Sequence, residues 1–152
     1  MPVGPRGVRS AVQSAKVTAR SMQHTFEFAI HGERLAIARL PADAPVPAWA
    51  QGGFVNIART ASELSVVCAQ RFVPEVVQHE RDRIAFGIAG VVPMTTVGIL
   101  ASLCGALAAA GVPVFAISTY DTDYLLVSAE RFAAARRALE DLGHSFTGSV
   151  PG

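Results

Sequence analysis

Two short polar stretches in an otherwise apolar chain carry the residue types that could do chemistry. The first is Met94-Thr95-Thr96-Val97-Gly98-Ile99, a turn that opens an apolar helical run. Free backbone N–H groups and the positive end of a helix dipole belong at such a turn, and both receive a carboxylate well. Gly98, placed a residue or so inside the helix, costs about 1 kcal/mol relative to Ala and lets another group approach the backbone. The second stretch is Ser118-Thr119-Tyr120-Asp121-Thr122-Asp123, which puts two carboxylates within three residues between two strand-like runs. Asp121 also suits a turn, because Asp bonds its own backbone two residues on. A helix mouth facing an acidic connector complements one kind of molecule: a zwitterion with one negative and one positive group.

Nothing else in the chain offers comparable chemistry. His24, His31 and His144 are scattered, and no neighbouring Ser, Cys or acid completes a nucleophile and base. His79 beside Glu80, Arg81 and Asp82 reads as a solvated charge cluster, and Trp49, after two prolines, as a lid over a sheet. Cys68 and Cys104 stand alone in apolar segments without metal-ligand spacing, as buried thiols of a reducing compartment do. No enzyme, metal or cofactor is expected, and the expected location is the cytoplasm.

The elements that must position the two stretches follow from pattern. Pro93 halts the preceding chain, Thr95 or Thr96 can cap a helix over residues 96–110, and Gly111 with Pro113 stops it. Val97, Leu100, Cys104 and Leu107 recur at helical spacing, but Ile99, Leu103 and the alanines fill the other faces, so this helix should be buried on more than one side. Strands over 115–118 and 124–127 flank the acidic connector. An amphipathic helix follows from Ser128, with Phe132, Ala135, Leu139 and Leu142 on one face; Gly143 ends it, and 144–147 supply an edge strand. Upstream, 24–30 and 34–40 alternate as strands about a turn at 31–33, which predicts a hairpin. Further strands fall at 54–60, 63–69 and 84–89, with a short helix near 74–79.

An offset of sixty residues sets Ile57, Val67, Ala69, Arg71 and Phe72 on Ile117, Val127, Ala129, Arg131 and Phe132. Upstream, Arg34-Leu35-Ala36-Ile37 falls on Arg83-Ile84-Ala85-Phe86 at forty-nine, and the difference of eleven is about three helical turns. The chain therefore reads as a tandem pair of α+β ferredoxin-like units, βαββαβ in plan, the first with a truncated helix. Residues 1–23 form an extension, 24–82 the first, degenerate unit and 83–148 the complete one. The missing helix leaves one sheet face bare, to be covered by the partner unit or by a second subunit, which predicts a homodimer.

Composition agrees with a folded chain of 152 residues: 51% hydrophobic and 16% charged residues exclude a disordered polymer. A net charge of +1 gives no basis for nucleic-acid binding, and no apolar run reaches the roughly 18 residues of a membrane span. Residues 1–23 hold Arg6, Arg9, Lys16 and Arg20 with no acid, resemble a transit peptide weakly, and read as a disordered or loosely helical extension.

The run Gly98-Ile99-Leu100-Ala101-Ser102-Leu103, then Leu107-Ala108-Ala109-Ala110-Gly111-Val112-Pro113-Val114-Phe115-Ala116-Ile117-Ser118-Thr119-Tyr120-Asp121-Thr122-Asp123, resembles the ACT domain, the small ligand-binding module of amino-acid-regulated enzymes. In detail it looks most like the branch shared by aspartate kinase regulatory domains and the cytosolic arginine sensors of the TOR pathway, over residues 34–146. The resemblance implies an amino-acid sensor or regulatory module whose ligand sits between ACT units. Backbone atoms of 94–99 would hold the ligand's α-carboxylate or α-amino group. Main-chain oxygens of Thr119 and Tyr120 and the carboxylate of Asp123 would contact the rest, with walls from Ile99, Phe115 and Tyr120. The sensors carry an acid where Thr96 stands, which argues against arginine itself. Any regulated enzyme would be a separate polypeptide; the alternative is a ligand-free dimerisation or docking module.

Overall fold

The computed structural model describes residues 24–152, and the extension 1–23 lies outside them. Everything hangs on one long strand, β5 (Gln78–Ile88), which serves two groups of strands at once. Before it come β1 (Glu27–Ile30), β2 (Leu35–Leu40), β3 (Asn56–Arg59) and β4 (Leu64–Ala69). After it come α1 (Ile99–Ala109), β6 (Phe115–Ser118), β7 (Asp123–Ser128), α2 (Phe132–Glu140) and β8 (Ser145–Thr147). Over the described residues the result is an α+β arrangement of one eight-stranded sheet and two α-helices.

The hairpin expected about 31–33 does not form. β1 and β2 do not pair with each other; both run antiparallel to β5, β1 opposite Phe86–Ile88 and β2 opposite Gln78–Arg83. Eleven extended residues reach about 36 Å, long enough to template both. Through the break the ladder continues, His31 N–H donating to Ala85 O, and β2 takes up pairing again with a bulge. On β5 the matching irregularity is Asp82, with φ of 55°. Its N–H donates to the Gln70 side-chain oxygen, and its carboxylate accepts from Arg34. The short helix expected at 74–79 is also absent. A 3-10 turn at Gln70–Phe72 precedes β5, whose charged first half hid it from pattern reading. Arg81 there reaches back to the Gln70 and Val73 carbonyls and to Glu75.

The strand ladders correct the register of the internal similarity. Arg59 opposes Leu64 as Ser118 opposes Asp123, and Ala36 opposes Cys68 as Ile84 opposes Val127. The two ladders therefore correspond at 59 and 48 residues, one less than the offsets that align the letters best. A slip of one residue matters because it turns every side chain to the other face. At sixty, Val67 falls on Val127, yet Val67 belongs to the cluster with Leu35, Ala85, Ile117 and Leu126, whereas Val127 packs with the helices.

Three apolar clusters fill the fold. Ile84, Phe86 and Ile88 of β5 and Leu125 and Val127 of β7 meet Ile99, Leu103 and Leu107 of α1 and Phe132, Ala135 and Leu139 of α2. Helix α1 buries only that one side. Ala101, Gly105 and Ala108 on its outer face are exposed in the single chain, so the second buried side expected of this helix is not supplied by the described residues. Leu142, expected on the inner face of α2, lies past its end and is half exposed. On the other half of the sheet, Ala36, Ala38, Leu64, Val66 and Cys68 form a second cluster. No helix covers them, but the face is not bare: Ala44, Trp49 and Ala50 of the β2–β3 connection, with Val73 and Val77, close it. Trp49 thus lies over a sheet as expected, its carbonyl accepting from the buried Cys68 thiol, and the bare face that predicted a dimer is filled by the chain itself. On the side of the sheet away from α1 and α2, Phe54 meets Tyr124 edge-on at 5.0 Å, and the Tyr124 ring lies where a Cβ on Gly87 would be.

His144 fastens the start of β1 to the loop before β8. Its ring is buried between Phe26 and Phe28, and Nδ1 accepts the Phe26 N–H at 3.0 Å. Burial lowers its pKa below the ordinary 6.5. The unfolded chain therefore takes up the proton first, so this group's contribution to stability is full above about pH 6.5 and is lost as pH falls through the lowered value. Thermal unfolding from about pH 7 to pH 5 should show a falling Tm, and His144→Gln should flatten that slope. An unchanged slope would remove His144 as its source.

Candidate functional site

The helix mouth and the acidic connector face one hollow of about 490 Å³. Its lining includes Met94, Thr96, Gly98 and Ile99 from the first stretch and Thr119, Tyr120 and Asp123 from the second. Thr95, Val97 and Asp121 do not line it, nor does Phe115, and Val97 is 94% exposed. Asp121 contributes otherwise: its carbonyl accepts the Val92 N–H at 2.7 Å, tying the loop before α1 to the β6–β7 turn.

The helix starts later than the pattern suggests, and neither threonine caps it. Thr96 N–H is taken by Pro93 O in a turn of its own, so it is not part of an open cradle. The cap is Gly98, at φ 89°, with no side-chain hydrogen bond. Ser102 N–H to Gly98 O is the first helical bond, which leaves the amides of Ile99, Leu100 and Ala101 open towards the hollow's edge. A left-handed residue is strained for anything with a Cβ, although there is space around Gly98. Gly98→Ala should cost about 1–2 kcal/mol in chemical denaturation. A loss of under about 0.3 kcal/mol would mean the backbone relaxes there without strain.

Across the hollow, the β6–β7 turn is pinned by its threonines. Thr119 N–H donates to Thr122 O at 2.8 Å, and Thr122 N–H donates back to the Thr119 hydroxyl at 3.3 Å. The Thr122 hydroxyl donates to Ile88 O at 2.8 Å, which locks the turn to the end of β5. Asp123 stands directly opposite Ser118 in the ladder and accepts its hydroxyl proton at 2.5 Å. That bond leaves the second carboxylate oxygen for a ligand. Among the described residues Asp123 is the only charged one in the lining. Ser118, Thr122, Val92, Pro93, Leu100 and Ala101 complete the lining and were not among the expected ligand contacts, although Ser118 and Thr122 belong to the acidic stretch. Only the Ser118–Asp123 pair could have been, had the hairpin register been read.

Burial and then the Asp123 charge raise the Cys104 thiol above its ordinary pKa, which disfavours the thiolate. Burial raises the Cys68 thiol as well. Among the described residues no group of three or more His, Cys, Asp or Glu side chains is arranged to hold a metal, and no helix is long and apolar enough to cross a membrane.

The ACT domain family model matches residues 78–141, and a model of an N-terminal domain matches 33–76. The crystal structure of protein Atu0741 from Agobacterium tumefaciens shares 33% identity over 85% of this chain and 98% of its own, with a TM-score of 0.79. The chain belongs to the family of Atu0741, and the ACT domain model matches its residues 78–141. More distant structures share the fold. The regulatory subunit of aspartate kinase from Thermus thermophilus, in a ligand-free form, is 16% identical over 76% of this chain and 96% of its own, at TM-score 0.55. A protein of unknown function from Vibrio cholerae, VC0802, titled a possible transport protein, is 15% identical over 78% and 90%, at 0.61. No curated protein matches the chain. All the residues that line the hollow fall within the stretch that the ACT domain model matches.

Proposed function

We propose that the chain is a non-catalytic regulatory module that binds a free amino acid in this hollow, at an interface between ACT units. One observation carries the reading: an uncapped helix mouth and a half-engaged carboxylate line a single space of about 490 Å³. The ligand's α-carboxylate meets the amides of Ile99, Leu100 and Ala101, and its ammonium or a polar side chain meets Asp123. The likeness to a regulatory subunit of aspartate kinase supports a regulatory role. The reading places the first unit as scaffold and any regulated enzyme on another polypeptide. Unpaired Cys68 and Cys104 suit the reducing cytoplasm.

The mouth of the hollow is open, with Met94 73% and Tyr120 82% exposed. Micromolar binding needs about 8 kcal/mol, and an exposed ion pair supplies about 1 kcal/mol at most. The site must therefore be covered when occupied. A second copy packed on the outer face of α1, where Ala101, Gly105 and Ala108 are exposed beside the hollow, would cover it and make the protein a homodimer. Met94 and Tyr120 do not pack the hollow shut, which weighs against a purely ligand-free docking module. Calorimetric titration with the common amino acids tests the proposal. Heat is expected with at least one neutral or basic amino acid below about 1 mM, a threshold equal to 4.1 kcal/mol of binding. Silence from all of them would leave the docking module as the better reading.

A further inference from the structure

A second concavity, of about 260 Å³, lies where the chain passes from β1 to β2, and its lining includes Gly32, Glu33, Arg34, Gln70, Arg71 and Pro151. It shares no residue with the hollow at α1. The charged side chains of the lining are two guanidiniums and one carboxylate, so one further negative charge would balance them.

Neither guanidinium is used up. Arg34 Nε donates to Pro151 O and Arg34 Nη1 to the Asp82 carboxylate, both at 3.3 Å, whereas charge-assisted bonds close to about 2.7–2.9 Å. Arg71 donates to Glu33 through Nη1 alone, and its guanidinium lies over the Phe72 ring at 4.5 Å. Most of both forks is left for another acceptor. Backbone donors belong to the same lining: β1 ends at Ile30 and β2 begins at Leu35, and the N–H groups of Gly32, Glu33 and Arg34 donate to no acceptor among the described residues. Successive free amides in a concavity are what anions bind.

Asp82 adds an independent observation. Its φ of 55° is a strained conformation for a residue with a Cβ, and two residues of this lining hold it there. Gln70 accepts its N–H at 2.8 Å and donates to its carboxylate at 3.3 Å, and Arg34 donates to the same oxygen. Strain of this kind gathers at ligand clamps.

We propose that this pocket is a binding site for a small monocarboxylate, received by the Arg34 and Arg71 guanidiniums and the amides of residues 32–34. A planar carboxylate matches the guanidinium fork, and a space below the usual 300–1,000 Å³ or so of ligand pockets suits a compact molecule. A phosphate dianion would leave a negative charge unbalanced beside Glu33. The first unit is then more than scaffold, and the site stands whether or not the hollow at α1 binds an amino acid.

The test is a titration of the full chain with sodium acetate, read by backbone amide and arginine Nε–H shifts, at an ionic strength held constant with sodium chloride. The Gly32, Glu33 and Arg34 amides and the Arg34 and Arg71 Nε–H signals should follow one saturating curve with a midpoint below about 50 mM. Arg71 is 58% exposed, so Arg71→Gln should fold as before and weaken that curve at least about tenfold. Arg71→Lys keeps the charge without the fork and should weaken it by about threefold or more. Shifts that stay linear throughout, or that saturate equally in Arg71→Gln, overturn the proposal. Movement confined to the Ile99 and Ser118 amides does so too, since it puts acetate in the other hollow. Inorganic phosphate saturating the same signals at a lower concentration than acetate would overturn the carboxylate as the ligand class.

Discussion

Replacing Phe86 by Ala is expected to lower stability by about 3–5 kcal/mol. Phe86 is fully buried near the C-terminal end of β5, opposite Ile30 on one side and Leu125 on the other. Its ring meets Phe28 at 5.5 Å, Phe146 at 5.3 Å and Phe132 at 5.9 Å, all edge-on, so one truncation removes three aromatic contacts and leaves a cavity. Domains of this size are stable by about 5–15 kcal/mol, so the variant should sit near the edge of folding. Urea denaturation reads the effect directly, and a loss under about 1 kcal/mol would mean that the helices do not pack on β5 as described. The hollow should suffer too. The Thr122 hydroxyl that locks the acidic turn donates to Ile88, two residues along the same strand, so a loosened β5 loosens the turn.

Asp123→Asn is expected to weaken the amino acid found by calorimetry about 10- to 150-fold. A hydrogen bond to a charged group is worth about 1.5–3 kcal/mol, and Asn keeps the shape while removing the charge. Ser118 keeps a side-chain carbonyl to donate to, so folding stability should change by less than about 0.5 kcal/mol. Binding loss with stability held separates a ligand contact from a structural one. Equal affinity for Asp and Asn at this position would take Asp123 out of the site.

The complete unit was readable because its elements are local. The helix run to Gly111, the two strands about the acidic turn and the amphipathic face of Phe132, Ala135 and Leu139 all declare themselves by periodicity. Helix α1 begins at Ile99 rather than Thr96 because Pro93 closes a turn of its own on Thr96, leaving a left-handed Gly98 as the cap. What failed depends on partners distant in sequence. Nothing local says that β1 and β2 share β5 instead of each other, or that the charged run 78–83 is a strand. The best letter match, Phe72 on Phe132, misplaced the register by one residue, since only strand pairing reports which face a side chain takes.

The same division holds for the site. Glycine at a helix mouth and carboxylates in a strand connector were visible as residue types suited to a zwitterion. Ser118 and Thr122, which aim and lock that connector, act across the ladder to Asp123 and across the sheet end to Ile88. Arg71 likewise paired with nothing in the local sequence, yet it bonds Glu33. The Gly53 N–H and then Arg71 hold that carboxyl below its ordinary range, fastening the 51–53 loop to the break between β1 and β2.

Recognition of a zwitterion requires the helix mouth and Asp123 to receive opposite ends of one molecule. Amide shift mapping of the full chain, titrated with the amino acid that gives heat in calorimetry or otherwise with a mixture of all of them, reads both ends at once. The prediction is joint saturation of the Ile99, Leu100 and Ala101 amides with those of Ser118, Thr119 and Asp123, along one curve. Shifts at one group without the other, or at neither, would contradict it.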